Sequence, residues 1–180
     1  MPLECGVILG GMEVLDEGAL EKAKSMTIIV TKGSLDWAYP PFIIASTAAA
    51  MDVKVTMFFT FYGLGLLKKD LNLKFTTLGN PAMAMPMMGM HMPMPNMMGM
   101  IPGMGAAAGT MMKNLIKKKG VASIEELREA TVELDTRMIA CQMTLDLFEF
   151  SKNDLIDGIE IGGAATYIES ATKSDINLYM

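Results

Sequence analysis

Histidine, cysteine and aromatic side chains are scarce in this chain. His91 is the single histidine, which excludes any site that needs two. The two cysteines, Cys5 and Cys141, lie far apart and are too few for a disulfide scaffold. Aromatics make up only 7% of the residues, and Trp37 is the one tryptophan. There is no Ser/His/Asp constellation for acyl transfer, because the lone histidine sits among methionines. Positive charge is in deficit: Lys+Arg 15 against Asp+Glu 20 gives 15 − 20 = −5. The pI is about 4.9, which disfavours a generic nucleic-acid binder. No basic stretch precedes the short apolar run Gly6 to Gly11, so no secretory signal is expected. The corresponding expectation is a cytoplasmic, reducing location in which free thiols stay reduced. Phe75 to Met112 carries no charge for 38 residues, yet Pro81, Pro86, Pro93, Pro95 and Pro102 interrupt it. Proline removes a backbone donor that hydrocarbon cannot replace, so a simple membrane span is not expected there.

What is abundant is apolar side chain. At 51% hydrophobic over 180 residues, the chain can bury a full core, which excludes wholesale disorder and suits one domain. Methionine reaches 21, and 13 of these fall in Met83–Met112. Residues 1–24 read as a leader with one short helix. Residues 25–180 read as an α/β domain, with a Met/Pro-rich loop over 83–101. The β-branched run Met26–Thr31 predicts a buried strand and Val53–Phe59 a second. Between them lies a helix over roughly 38–51, with Pro40 and Pro41 in its first turn and Ile44, Thr47, Ala48 and Met51 inward. Strand, helix and strand within about 35 residues make a βαβ unit and hence a parallel sheet. Leu73–Leu78 offers a third extended segment. A helix from near Gly103 carries Met104, Ala107, Ala108, Met111, Met112, Leu115 and Ile116 on one stripe, and ends at Lys117-Lys118-Lys119-Gly120. Ser123-Ile124-Glu125-Glu126 is a capping box for the next helix, with Leu127, Ala130, Thr131 and Leu134 inward. Arg137–Cys141 is a short apolar strand, Gln142–Phe150 a helix, Ser151–Asp154 a capped turn, and Ile176–Tyr179 a final strand. The expected fold is α/β: an open, mostly parallel sheet of about five strands with helices on both faces.

Cys141 stands out as a candidate site residue. It lies just past the carboxyl end of a strand and at the start of a helix, where open α/β sheets build their sites. Unpaired amides and the helix dipole there favour an anion, so the thiol is expected to be acidic and nucleophilic. The bland reading is a buried cysteine acting as a small hydrophobe. Cys5 has no partner at motif spacing and reads as incidental, with a resolving or relay thiol as the alternative. The methionines alternating from Met83 to Met94 around His91 are soft ligands of the kind that suits Cu(I). They are also a plastic apolar surface for a subunit, a partner or a membrane face. Packing is the favoured reading, and no metal site is assigned. Lys32-Gly33-Ser34 after the first strand, and Gly162-Gly163 before a helix, match neither phosphate-loop fingerprint. Lys113, Lys117, Lys118 and Lys119 read as a solvated helix end.

Ala140-Cys141-Gln142-Met143-Thr144-Leu145-Asp146, followed by Asp154–Tyr167 with Gly158 and Gly162-Gly163-Ala164-Ala165, resembles the DsrE/DsrF-like family. Met57–Leu64, Met92–Asn96 and Lys118–Leu127 are similar to the branch with a Met/Pro-rich loop before the cysteine helix. The likeness spans about residues 25–180. It implies a sulfur-relay protein with an open parallel α/β sheet, sulfurtransferase-like chemistry, and sulfane sulfur held as a persulfide on Cys141. It also implies exchange with TusA-like sulfur carriers and rhodanese-type donors, homo-oligomers, and no cofactor. The family often has Met-Gly after the acidic residue, where this chain has Leu147-Phe148. That departure is expected to change packing on the cysteine helix or access to Cys141. A docking or scaffold subunit that uses a Met-rich surface, with peripheral membrane contact open, is the alternative. Residues 83–101 are expected to cover the mouth of the Cys141 site or to pack between subunits.

Overall fold

The computed structural model describes residues 23–74, 76, 84–87, 90–93 and 104–180, with backbone alone at 84–87, 90–93 and 104–108. The expectations for residues 1–22, Cys5 among them, and for the placement of the 83–101 side chains lie outside the described residues. Strand β1 (Ser25–Val30) leads into helix α1 (Leu35–Ala50), and strand β2 (Lys54–Phe59) returns parallel to β1. A 3₁₀ turn (Phe61–Leu67) follows. Strands β3 (Ala84–Met87) and β4 (Met90–Pro93) form an antiparallel hairpin. Then come α2 (Met104–Lys118), α3 (Ile124–Glu133), β5 (Arg137–Cys141) and α4 (Gln142–Phe148). A 3₁₀ turn (Lys152–Asp154), β6 (Glu160–Gly162), α5 (Ala164–Ala171) and β7 (Ile176–Tyr179) complete the chain.

The main sheet has five strands in the order β6-β5-β2-β1-β7, and every pairing in it is parallel. The chain steps from β1 outward through β2, β5 and β6, then crosses back to place β7 on the far side of β1. One sheet face, with Ile28, Met57, Phe59, Met138 and Ala140, packs under α1 and α3 in the main core. The opposite face carries Phe58, Ile139 and Cys141 against Tyr167 of α5. Burial on both faces explains why the strands read as apolar runs rather than alternations. Among the described residues no helix is long and apolar enough to cross a membrane.

The main sheet has the expected five strands. Of the expected Leu73–Leu78 segment, residues 73, 74 and 76 are described and lie in no strand, the rest falling outside the described residues; the fifth strand is the three-residue β6, whose Gly162 pairs beside Cys141. Three residues flanked by turns present too short a pattern to read from sequence. Helix α1 begins three residues earlier than expected, which places Pro40 and Pro41 inside it rather than in its first turn. Its buried face is Leu35, Ala38, Pro41, Phe42, Ala45 and Ala48. Of the expected stripe only Ala48 is buried; Thr47 and Met51 face outward. Because all of α1 is rich in Ala and Ile, no single stripe stands out, and packing against the sheet chose the face. On α3 the capping box forms in both halves, Ser123 and Glu126 serving each other's backbone. Leu134, expected inward, is exposed at the C-cap. The buried surprise there is Arg128, whose guanidinium donates to the Leu66 carbonyl at 3.0 Å and the Lys68 carbonyl at 2.6 Å. Within the Met/Pro-rich stretch expected as a loop, the β3–β4 hairpin pairs Pro86 with His91 and Met85 with Met92.

Candidate functional site

β2 and β5 are neighbours, with Phe59 opposite Ala140. One residue further on, Thr60 and Cys141 leave the two strands side by side at their carboxyl ends. Cys141 is both the last residue of β5 and the N-cap of α4, with extended backbone at φ −67° and ψ 115°. Thr144 stands three residues into this arrangement and is fully buried. Its Oγ1 accepts the Phe61 N–H at 3.2 Å and lies 3.2 Å from Thr60 Oγ1. Phe61 has φ 49°, a left-handed turn that few side-chain-bearing residues adopt, at the point where the chain leaves β2. Either hydroxyl can donate in the Thr60–Thr144 pair, and both stand beside the Cys141 sulfur.

The electrostatics follow from this cradle. Burial pushes the Cys141 thiol up, since desolvation penalises the charged form. Against that, the Thr144 hydroxyl and amide, the Thr60 hydroxyl and the Met143 amide all favour the thiolate, and the net result is a lowered pKa. As the neutral N-cap, Cys141 makes no side-chain capping bond. The amides at the helix start therefore act on the charged sulfur, the species for which a helix N-terminus is built. Cys141 exposes 4% of its surface, so an incoming sulfur must reach it past neighbouring side chains.

Phe58, Ile139 and Tyr167 pack with Cys141, while the outer surface of α4 and of the adjoining turn is apolar. Met143 and Leu147, four residues apart on α4, are 63% and 60% exposed. Phe61 and Tyr62 are exposed on the adjoining turn. Phe148 ties the two together: its ring stacks on Tyr62 at 5.8 Å and meets Phe61 edge-on at 6.4 Å, with Phe150 on the other side at 5.8 Å. The Leu147-Phe148 departure thus leaves one side chain on the surface and uses the other to pin α4 to the turn after β2. Gln142 and Asp146 close a polar edge, Nε2 donating to Oδ1 at 2.7 Å.

Of the residues singled out from sequence, Cys141 is the one around which the described structure assembles this cradle. Thr60 and Thr144 were not singled out. The signal for Thr144 was present as Cys-x-x-Thr at a strand-to-helix junction, where the third helical residue faces back to the N-cap. Thr60 is 81 positions from Cys141 in the sequence, and only the β2–β5 pairing brings it in. Lys32-Gly33-Ser34 lies at the end of β1 and outside the cradle, Gly162 pairs with Cys141 from the sheet edge, and the Lys117–Lys119 run is exposed where α2 ends. Among the described residues there is no group of three or more His, Cys, Asp or Glu side chains that could hold a metal ion.

The chain has similar relatives among known proteins. The chain is 59% identical over 157 residues to the sulfur carrier protein DsrE2 of Allochromatium vinosum, covering 87% of this chain and 98% of that one. It is 33% identical over 165 residues to the uncharacterized protein YrkE of Bacillus subtilis, covering 89% and 99%. Among solved structures, the YchN protein from E. coli aligns over 87% of this chain and 99% of its own, with TM-score 0.49 and 12% identity. The profile of the DsrE/DsrF/DrsH-like family matches residues 22–179, and the chain belongs to that family.

Proposed function

We propose that this protein is a sulfur carrier that holds sulfane sulfur as a persulfide on Cys141. The observation that carries the reading is the cradle itself, in which two threonine hydroxyls and the first amides of α4 favour the Cys141 thiolate. The 59% identical relative, named a sulfur carrier protein, supports the same role. The Cys141 thiolate attacks the outer sulfur of a donor persulfide, R–S–SH. The donor S–S bond breaks, R–S⁻ leaves and takes up a proton from water, and Cys141–S–SH forms. In the reverse sense an acceptor thiolate attacks that outer sulfur, and the Cys141 thiolate departs. Both steps are thiol exchange, governed by thiolate fraction and leaving-group acidity, and neither calls for a cofactor. A lowered Cys141 pKa serves the first step by supplying thiolate and the second by making Cys141 a better leaving group. The apolar rim of Phe61, Tyr62, Met143 and Leu147 fits the approach of a carrier or donor protein, of TusA-like or rhodanese type. A cytoplasmic homo-oligomer in which residues 83–101 shelter the persulfide completes the proposal.

Intact-mass measurement after polysulfide treatment tests it. Wild type gains about 32 Da per added sulfur atom, Cys141→Ser gains none, and Cys5→Ser retains nearly all of the loading. Full loading of a folded Cys141→Ser protein overturns the reading, and a large loss in Cys5→Ser makes Cys5 a relay thiol.

A further inference from the structure

At the carboxyl end of β1 the structure opens a cavity of about 630 Å³, walled by Lys32, Ser34, Trp37, Tyr62, Asn72 and Lys74. The cavity is broadly open to solvent, and its volume lies in the range of sites that hold a small organic molecule. Its position is the one open parallel sheets use for ligands, outside the carboxyl ends of the strands, on the strand where the order reverses.

The wall is held by tight backbone contact rather than by loose loops. A Cβ on Gly33 would fall 2.2 Å from the Tyr62 carbonyl oxygen, so glycine lets the turn after β1 press directly on the turn after β2. Leu35 N–H donates to the Lys74 carbonyl at 2.9 Å, and Thr76 Oγ1 donates to Ser34 Oγ at 2.9 Å. These bonds fasten Lys74 and Thr76 at the start of α1, and Lys74 lines the same space as Lys32.

The chemistry of the wall is distinctive in a chain of net charge −5. Two ammonium groups share the cavity, and neither makes an ion pair among the described residues. Asp36 belongs to the same turn but is not part of the wall, and its Oδ1 accepts the Thr76 amide at 3.1 Å. Lys32 instead rests on the Trp37 ring, its Nζ 3.2 Å from the ring centroid. A cation parked on an aromatic face is attracted there by only about 0.5–1 kcal/mol at an exposed site, so an anion with hydrogen-bonding oxygens competes for it readily. Its departure leaves the Trp37 face open to a flat or apolar group, with Tyr62 and the Asn72 amide beside it.

We propose that this cavity binds a small organic anion: a phosphate, carboxylate or sulfonate held by Lys32 and Lys74, with a flat or apolar body against Trp37 and Tyr62. The site is separate from the Cys141 cradle, with Tyr62 the one side chain that borders both, and it does not depend on the sulfur-carrier reading.

Trp37 is the single tryptophan, so its fluorescence reports this cavity alone. Adenosine monophosphate, reduced glutathione and inorganic phosphate are titrated separately into the full-length protein, with excitation at the red edge of the tryptophan band. The expected result is a saturable change with at least one organic anion, at a lower midpoint than with phosphate. Lys74→Gln, which leaves the Lys32–Trp37 pair untouched, weakens that midpoint severalfold. The Lys32→Gln/Lys74→Gln double variant weakens it about tenfold, as expected for two solvent-accessible charge contacts. Raising the salt to 1 M, where screening acts over about 3 Å, weakens it likewise. Lys118→Gln on α2 serves as the charge control and leaves it unchanged, and thermal midpoints confirm that each variant is folded. Absence of a saturable change with all three anions, or an undiminished midpoint in the folded double variant, overturns the proposal. Binding of phosphate as tight as that of both organic anions overturns the assignment of an organic body.

Discussion

Replacing Thr144 by valine removes one oxygen and little volume, and it isolates what the cradle does for the sulfur. The Thr144 hydroxyl is the first of the groups that favour the Cys141 thiolate, and its oxygen also takes the Phe61 amide at 3.2 Å. A hydrogen bond to a charged partner contributes about 1.5–3 kcal/mol. Losing it lowers the thiolate fraction about tenfold to 150-fold on the low-pH limb of the titration, where rate is proportional to that fraction. The surviving thiolate is more basic and hence more nucleophilic, with a Brønsted coefficient of about 0.4–0.5, which returns about a threefold to tenfold gain. The net expectation is alkylation of Cys141 slowed about three- to fifteen-fold on that limb, with the whole profile displaced to higher pH. The same substitution leaves the partly buried Phe61 N–H without its Thr144 acceptor, at a cost of about 1 kcal/mol in stability. Thr144→Ser restores the hydroxyl and is expected to recover most of the rate. The assay is iodoacetamide labelling against pH, read by mass spectrometry at Cys141 in a Cys5→Ser background. A folded Thr144→Val protein that labels along the wild-type profile would show that the hydroxyls do not set the thiol's acidity.

Three further expectations follow from the packing. Gly33→Ala drives a Cβ to 2.2 Å from the Tyr62 carbonyl oxygen, so the two turns must separate; denaturant unfolding should register a loss of about 1–3 kcal/mol, and an unchanged midpoint would mean the turns part freely. Arg128→Ala uncovers the Leu66 and Lys68 carbonyls that the guanidinium serves; a loss of about 1–3 kcal/mol is expected in the same assay, and a neutral result would mean water satisfies both. Glu160 is held below the ordinary glutamate value by its paired bonds from Arg137, both 2.8 Å. The stability from that pair is present above the unfolded glutamate pKa and disappears as pH falls through the lower folded one, so carboxyl NMR titration of Arg137→Ala should show Glu160 moving up.

Much of this protein was legible in its sequence because the signals are local. The run Met26–Thr31 had to be buried on both faces, and β1 is. Ser123 and Glu126 carry a capping box in four residues, and it forms. The junction at Cys141 was readable because an apolar strand ends and a helical pattern begins at one residue. Where several faces of a segment were equally apolar, as in α1, periodicity was silent and the sheet made the choice. Where an element was only three residues long, as in β6, there was no period to count.

The composition and order of side chains by themselves determined that a parallel α/β sheet would form and that Cys141 would cap a helix at the carboxyl end of a strand. Tertiary structure alone decided what surrounds that sulfur. Thr60 reaches Cys141 because β2 pairs with β5 across 81 positions of chain. Phe148 reaches Tyr62 because α4 folds back over the turn after β2. Lys32 and Lys74 share a cavity because the Leu35 amide holds the Lys74 carbonyl at the start of α1. Hydrogen bonds, ring contacts and charge pairs act over a few ångströms of space, and strand order, which sequence patterns do not encode, is what converts distant positions into such neighbours.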